Sequence, residues 1–196
     1  MYPQLVPLIF FSIAAAFTPG PNNILGSYSG FNFGIKKSIP LILGVTLGYT
    51  TIIAVSAGGL NILFNIFPIL KIIIKIIGSI FLIYLAYKIS FSKVSSEGKT
   101  ENPVKFLDKF IFQFINPKGV MAGVTLSSNF VEQGENYLNH SIWVIVVCSV
   151  TAFLSITSWT FLGKFLRKFA TNNNFIKRFN YAMSLLLIVC IIGFYI

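Results

Sequence analysis

The chain has 196 residues, of which 55% are apolar and only 10% charged, with a mean hydropathy of +0.80. A soluble domain carries roughly 25% charged residues, so this composition excludes an ordinary water-soluble globule and makes lipid the main solvent. The formal net charge of +10 is dispersed between apolar runs, which argues against a nucleic-acid partner and for anionic lipid headgroups as the counter-charge.

A helix needs about 20 apolar residues to cross a 30 Å hydrocarbon core. The first such span is predicted from Leu5 to Tyr28, interrupted at Thr18-Pro19-Gly20-Pro21-Asn22-Asn23. Its start resembles the apolar core of a signal peptide, with Ala14-Ala15-Ala16 as a cleavage-like site, but no positive segment precedes it, so it is read as a membrane helix. A turn-prone basic connection is expected over Gly30 to Lys37. The second span, Ser38 to Leu60, holds Gly44 and Gly48 at the GxxxG spacing that lets helix backbones approach. Asn61 to Phe67 reads as a short connection and Pro68 to Ile89 as the third span.

Ser90 to Lys105 is polar, charged, and carries Gly98 and Pro103. It divides one membrane domain into a first half (1–90), a linker (91–105) and a second half (106–196). The fourth span, Phe106 to Phe130, is interrupted at Asn116-Pro117. Val131 to His140 is an acidic connection with Glu132 and Glu135, and Ser141 to Leu162 is the fifth span. Lys164 to Arg178 is a basic connection whose apolar positions suit the membrane surface, and the sixth span begins at Phe179. Cys148 and Cys190 lie in apolar runs as buried small hydrophobes. His140 reads as a surface polar residue. No metal-ligand cluster, cofactor motif or nucleophile–base set is readable, so the chain is not read as an enzyme.

Basic residues in short loops mark the cytoplasmic side. Twelve of the 15 fall in the loops after spans one, three and five, with Lys109 counted among the flanking turns. Both termini are therefore expected outside. Three spans per half means that the second half enters from the opposite side, as inverted repeats. The fold class is all-α, six membrane helices with the first and fourth broken. Three cations remain within spans. Lys71 reads as snorkelling to the interface. Lys75 fits either snorkelling or a cavity lining. Lys118 lies about 15 Å into its span at 1.5 Å per residue, where a charge is costly and points to function.

Pro19 and Pro117 are 98 residues apart, half the chain. Proline removes a backbone donor, so Pro19 and Pro21 should free the carbonyls of Ala15 and Phe17, and Pro117 that of Gln113. In hydrocarbon each unsatisfied group costs several kcal/mol, and paired breaks in two halves point to a transporter's substrate site. Helices restarting near Asn22 and Lys118 present free N–H groups and partial positive charge to a carboxylate. The freed carbonyls suit a substrate ammonium. Thr18, Asn22, Asn23, Gln113 and Asn116 add neutral hydrogen-bonding groups. Pro19, Gly20, Pro21 and Pro117 hold the backbone open, and Tyr49 and Lys75 are candidate cavity-lining residues. No Asp or Glu lies deep in a span, which favours a small neutral amino acid and disfavours metal cations.

At Phe17-Thr18-Pro19-Gly20-Pro21-Asn22 and Asn116-Pro117-Lys118 the sequence resembles the LysE/RhtB family of amino-acid exporters. Lys75-Ile76-Ile77-Gly78-Ser79-Ile80-Phe81-Leu82 is similar to the family's third-helix pattern, with Phe81 in place of Tyr. Gly44 and Gly48 match its second-helix glycines. Tyr49 stands where family members often carry Asp. The resemblance implies six spans, a homodimer, and export of amino acids or related small solutes across a bacterial inner membrane. It also implies an ion gradient as the driving force, with the proton as the expected coupling ion. A metal-cation exporter and a non-transporting membrane scaffold are the alternative readings.

Overall fold

Every element of regular structure in the computed structural model is helical; it describes residues 2–91, 105–132, 134–170 and 172–195. In order these are α1 (Leu5–Phe17), α2 (Pro21–Val55), a π-turn (Ser56–Leu60), α3 (Asn61–Ile66), α4 (Ile69–Ser90), α5 (Phe106–Ile115), α6 (Pro117–Phe130), α7 (Tyr137–Arg167) and α8 (Asn173–Ile192). Four helical stretches among the described residues are long and apolar enough to cross a membrane. Residues 92–104 of the expected linker, with Lys93, Lys99, Gly98 and Pro103, lie outside the described residues.

Two interruptions sit at the prolines. Thr18 has ψ 131, Gly20 is extended, and α2 restarts with Pro21 as its first residue. Asn116 has ψ 102, and α6 restarts with Pro117. The residue before a proline is pushed out of the α region, while proline's missing N–H and fixed φ suit the first helical turn. The same residue type therefore ends one helix and begins the next.

The loop expected over Gly30 to Lys37 is helical on both sides of a single residue. Gly34, at φ 75 and ψ 175, adopts backbone that only glycine takes readily, and α2 reverses there. The Ser29 and Ser38 hydroxyls are 2.7 Å apart, although nine residues of straight helix would separate them by about 13 Å. α2 is thus a hairpin of two legs. Its second leg lays Gly44 against the Phe106 carbonyl and Lys109, and Gly48 against Phe110 and Gln113, so the GxxxG face packs on α5.

The most extensive contact is between α2 and α7. A side chain at Gly30 would occupy the place of the Thr160 carbonyl, and one at Gly163 that of the Ser27 carbonyl. The two backbones therefore touch, and Ser27 Oγ donates to the Trp159 carbonyl at 3.0 Å. Small residues at a helix seam are how membrane helices gain packing without a hydrophobic driving force. Polarity is correspondingly inverted. Ser12, Ser29, Ser38, Gln113, Asn116, Ser155 and Thr160 are buried, while Ile72, Ile76, Ile80, Ile83 and Leu185 are exposed.

Other sequence expectations need correction. α2 stops at Val55 and gives way to a π-turn, and the connection expected at Asn61 to Phe67 is mostly helix α3. The connections expected at Val131 to His140 and Lys164 to Arg178 shrink, because α7 already begins at Tyr137 and runs through Arg167, and α8 begins at Asn173. Asn172 caps α8 by accepting from the Phe175 N–H at 2.8 Å. His140 is not on the surface: it is 5% exposed, with its ring 4.9 Å from that of Tyr2. Lys109, counted with the loop cations, is 2% exposed, its ammonium 5.6 Å from the Phe112 ring and 6.0 Å from that of Phe81. Helical periodicity turns it inward, one turn before Gln113, where aromatic faces receive the cation.

Candidate functional site

The two interruptions lie beside one another. A narrow, half-open cleft lies between them. Gly20, Pro21, Asn22 and Asn23 line it from the first break, and Asn116, Lys118 and Gly119 from the second. Tyr49, on the second leg of α2, also lines it. The reversal at Gly34 makes this possible, since Tyr49 follows Asn22 by some 40 Å of straight helix at 1.5 Å per residue.

The carbonyls of the first break are taken by side chains. Asn23 Nδ2 donates to the carbonyls of Ala16 at 2.9 Å and Thr18 at 3.0 Å. Ser155 Oγ donates to the Ala16 carbonyl at 2.8 Å. Lys118 Nζ reaches across from α6 to the Thr18 carbonyl at 2.5 Å and leans on that of Pro19 at 3.4 Å. The acceptors so occupied are Ala16, Thr18 and Pro19, one residue along from the expected Ala15 and Phe17. The Gln113 carbonyl, expected to be free, accepts from the Asn116 N–H at 3.3 Å. The Thr18 hydroxyl turns back to the Ala14 carbonyl.

Side-chain amides of α2 and α5 are joined by a reciprocal pair. Asn22 Nδ2 donates to Gln113 Oε1 at 2.8 Å, and Gln113 Nε2 donates to Asn22 Oδ1 at 3.1 Å. Gln113 is fully buried and lies behind Asn22 rather than on the cleft wall. Asn116 differs: it is 1% exposed, and its Oδ1 has no hydrogen-bond partner. A buried unsatisfied acceptor costs about 1–3 kcal/mol, and this one belongs to a cleft residue.

Gly20 carries no side chain for a local reason. A Cβ there would sit 2.8 Å from Lys118 Cδ and 2.9 Å from its Nζ. The lysine stem lies across the glycine as on a saddle, so the Pro-Gly-Pro and Asn-Pro-Lys stretches interlock. Pro19 is exposed and off the cleft wall, and Pro117 packs on Gly78 of α4. Lys75 does not line the cleft; its ammonium sits 5.6 Å from the Tyr195 ring. The snorkelling-type reading of Lys75 fits this placement better than the cavity-lining one.

Sequence reasoning missed the far wall. Ala152, Ser155 and Ile156 of α7, with Ala122 of α6, Val45 of α2 and Ala15 and Ala16 of α1, complete the cleft. Ser155 was findable as the polar member of a small-residue face, but several α7 serines and threonines share that signal, and Ser149, Thr151 and Thr160 bond their own helix. No Asp or Glu lines the cleft. Among the described residues, no group of three or more His, Cys, Asp or Glu side chains comes together to hold a metal ion.

An apolar helical bundle with a cleft at two helix breaks, carrying a few amide groups and one lysine, has the architecture of a membrane transporter. The chain belongs to the LysE family: the LysE type translocator model matches residues 13–196. Among curated proteins, it is 30% identical over 192 residues to a cysteine/O-acetylserine efflux protein of Salmonella typhimurium (strain LT2), covering 97% of each chain. The protein of the same name from Escherichia coli (strain K12) is 28% identical over 191 residues, again covering 97% of each. No solved structure matches the chain at a significant level. Membership of a translocator family indicates a transporter rather than an enzyme.

Proposed function

We propose that the protein exports small neutral amino acids across the bacterial inner membrane, by alternating access around the two breaks. The cleft is lined by alanine, glycine and serine rather than by acids, which suits a small, net-neutral solute. The relatives named for cysteine and O-acetylserine efflux point to substrates of that size and charge.

The observation that carries the reading is the unpartnered Oδ1 of Asn116. It is a buried acceptor on a residue of the cleft wall, and widening of the cleft during the cycle would offer it to a substrate ammonium. The helix starts at Pro21 and Pro117 turn their partial positive charge to the same level, and Lys118 adds a full one, so the substrate carboxylate lies on that side. Zwitterions present both groups.

In this reading α1 with the first leg of α2 is span one, and the second leg is span two. α4 is span three, α5 with α6 span four, α7 span five and α8 span six. The halves before and after the linker are inverted, and both termini face outward. A pH gradient drives the cycle. Uptake of labelled cysteine or another small neutral amino acid into inverted vesicles tests this. Uptake that a protonophore abolishes is the expected result, and a strong preference for lysine or arginine overturns it.

A further inference from the structure

The cleft already contains an ammonium of its own. Lys118 Nζ is bonded to the Thr18 carbonyl and leans on that of Pro19, at the end of α1 where the helix dipole is negative. That is the position a substrate ammonium would otherwise take. The other donors on the break, Asn23 and Ser155, are buried on packed helices. Lys118 instead reaches the break on a flexible four-carbon stem, half-buried and lying over Gly20.

We propose that Lys118 is a tethered occupant of the cation subsite, which the substrate ammonium displaces and whose released charge the substrate carboxylate then pairs. This rests on the reading of the cleft as an amino-acid site and adds a rule for selectivity. A primary ammonium carries three N–H donors, and the break carbonyls of Thr18 and Pro19 are acceptors that the lysine holds. A zwitterion can take them because its carboxylate compensates the lysine it expels. An amine without a carboxylate would leave two ammonium groups in a cleft without acid, where like charges repel strongly. Lys118 therefore both orients amino acids and excludes simple amines.

The test uses the purified full chain in lipid nanodiscs, with L-cysteine and cysteamine, the same molecule without its carboxylate, under reducing conditions. Binding to the native protein and to Lys118→Met, which keeps the stem on Gly20, is measured by calorimetry, with thermal melting as the check on folding. The expected result is cysteine affinity reduced at least tenfold and cysteamine affinity raised at least fivefold. Lys118→Gln serves in its place if the methionine variant does not fold. Loss of cysteine binding with cysteamine unchanged overturns the inference and leaves Lys118 a carboxylate ligand. Failure of the native protein to bind cysteine or any other small neutral amino acid sinks the functional reading instead. Cysteamine binding by the variant then still decides whether the lysine holds a cation subsite.

Discussion

The two breaks are made by the same residue and do opposite things. At the first, three residues separate α1 from α2, and the open carbonyls of Ala16, Thr18 and Pro19 draw in donors from Asn23, Ser155 and Lys118. At the second, one residue separates α5 from α6. Its backbone remains in the helical ladder, with the Asn116 N–H on the Gln113 carbonyl and the Asn116 carbonyl on the Val120 N–H. The first break is an acceptor surface that the fold has covered. The second contributes a long-stemmed donor, Lys118, and an unpartnered acceptor, Asn116 Oδ1. Unwinding alone does not make a binding site: what matters is which freed groups the rest of the bundle leaves unmatched.

That contrast can be broken most severely at Gly20. Gly20→Val pushes the flexible lysine stem off the Thr18 and Pro19 carbonyls, and uptake should fall well over tenfold in vesicles at unchanged expression and melting temperature. Asn116→Leu comes next. Uptake should fall about tenfold or more, while the melting temperature holds or rises, because removing an unsatisfied buried acceptor relieves a cost of about 1–3 kcal/mol. A drop in stability equal to the loss of activity would mean that Asn116 is a structural residue.

The Asn22–Gln113 pair sharpens the comparison more gently. A double-mutant cycle with alanine at both positions should give a coupling of about 0.6 kcal/mol in unfolding, the average for interhelical hydrogen bonds measured this way in a membrane protein. Additive effects would mean that α2 and α5 are not joined there. Lys109→Met is the smallest. This cation shares a helix with Gln113 but faces Phe81 and Phe112 instead of the cleft. Uptake should stay within about twofold of native and the melting temperature should not fall.

Much of the helix content was legible because the signals are local. Pro19, Pro21 and Pro117 act on their own backbone and on the preceding turn, so the sites of interruption followed directly from the sequence. Apolar run length likewise placed α4 to within one residue, and it found α7 and α8 but began them four and six residues late. What misled was polarity near the ends. Lys36 and Lys37 looked like a loop, yet one glycine suffices for the reversal. Lys109 and His140 looked like surface residues, yet each lies on a helix turned toward the bundle.

By itself the sequence determined that this is an apolar helical chain interrupted at two prolines half its length apart, since composition and backbone chemistry need no partner to act. It also placed a lysine beside the second interruption. Only the tertiary structure decided that Lys118 lies across Gly20 on the carbonyls of the first break, that Asn22 is spent on Gln113, and that Asn116 Oδ1 is left over. Those outcomes depend on which groups meet across the bundle, and hydrogen bonds between residues 91 to 100 positions apart are written in packing rather than in local pattern.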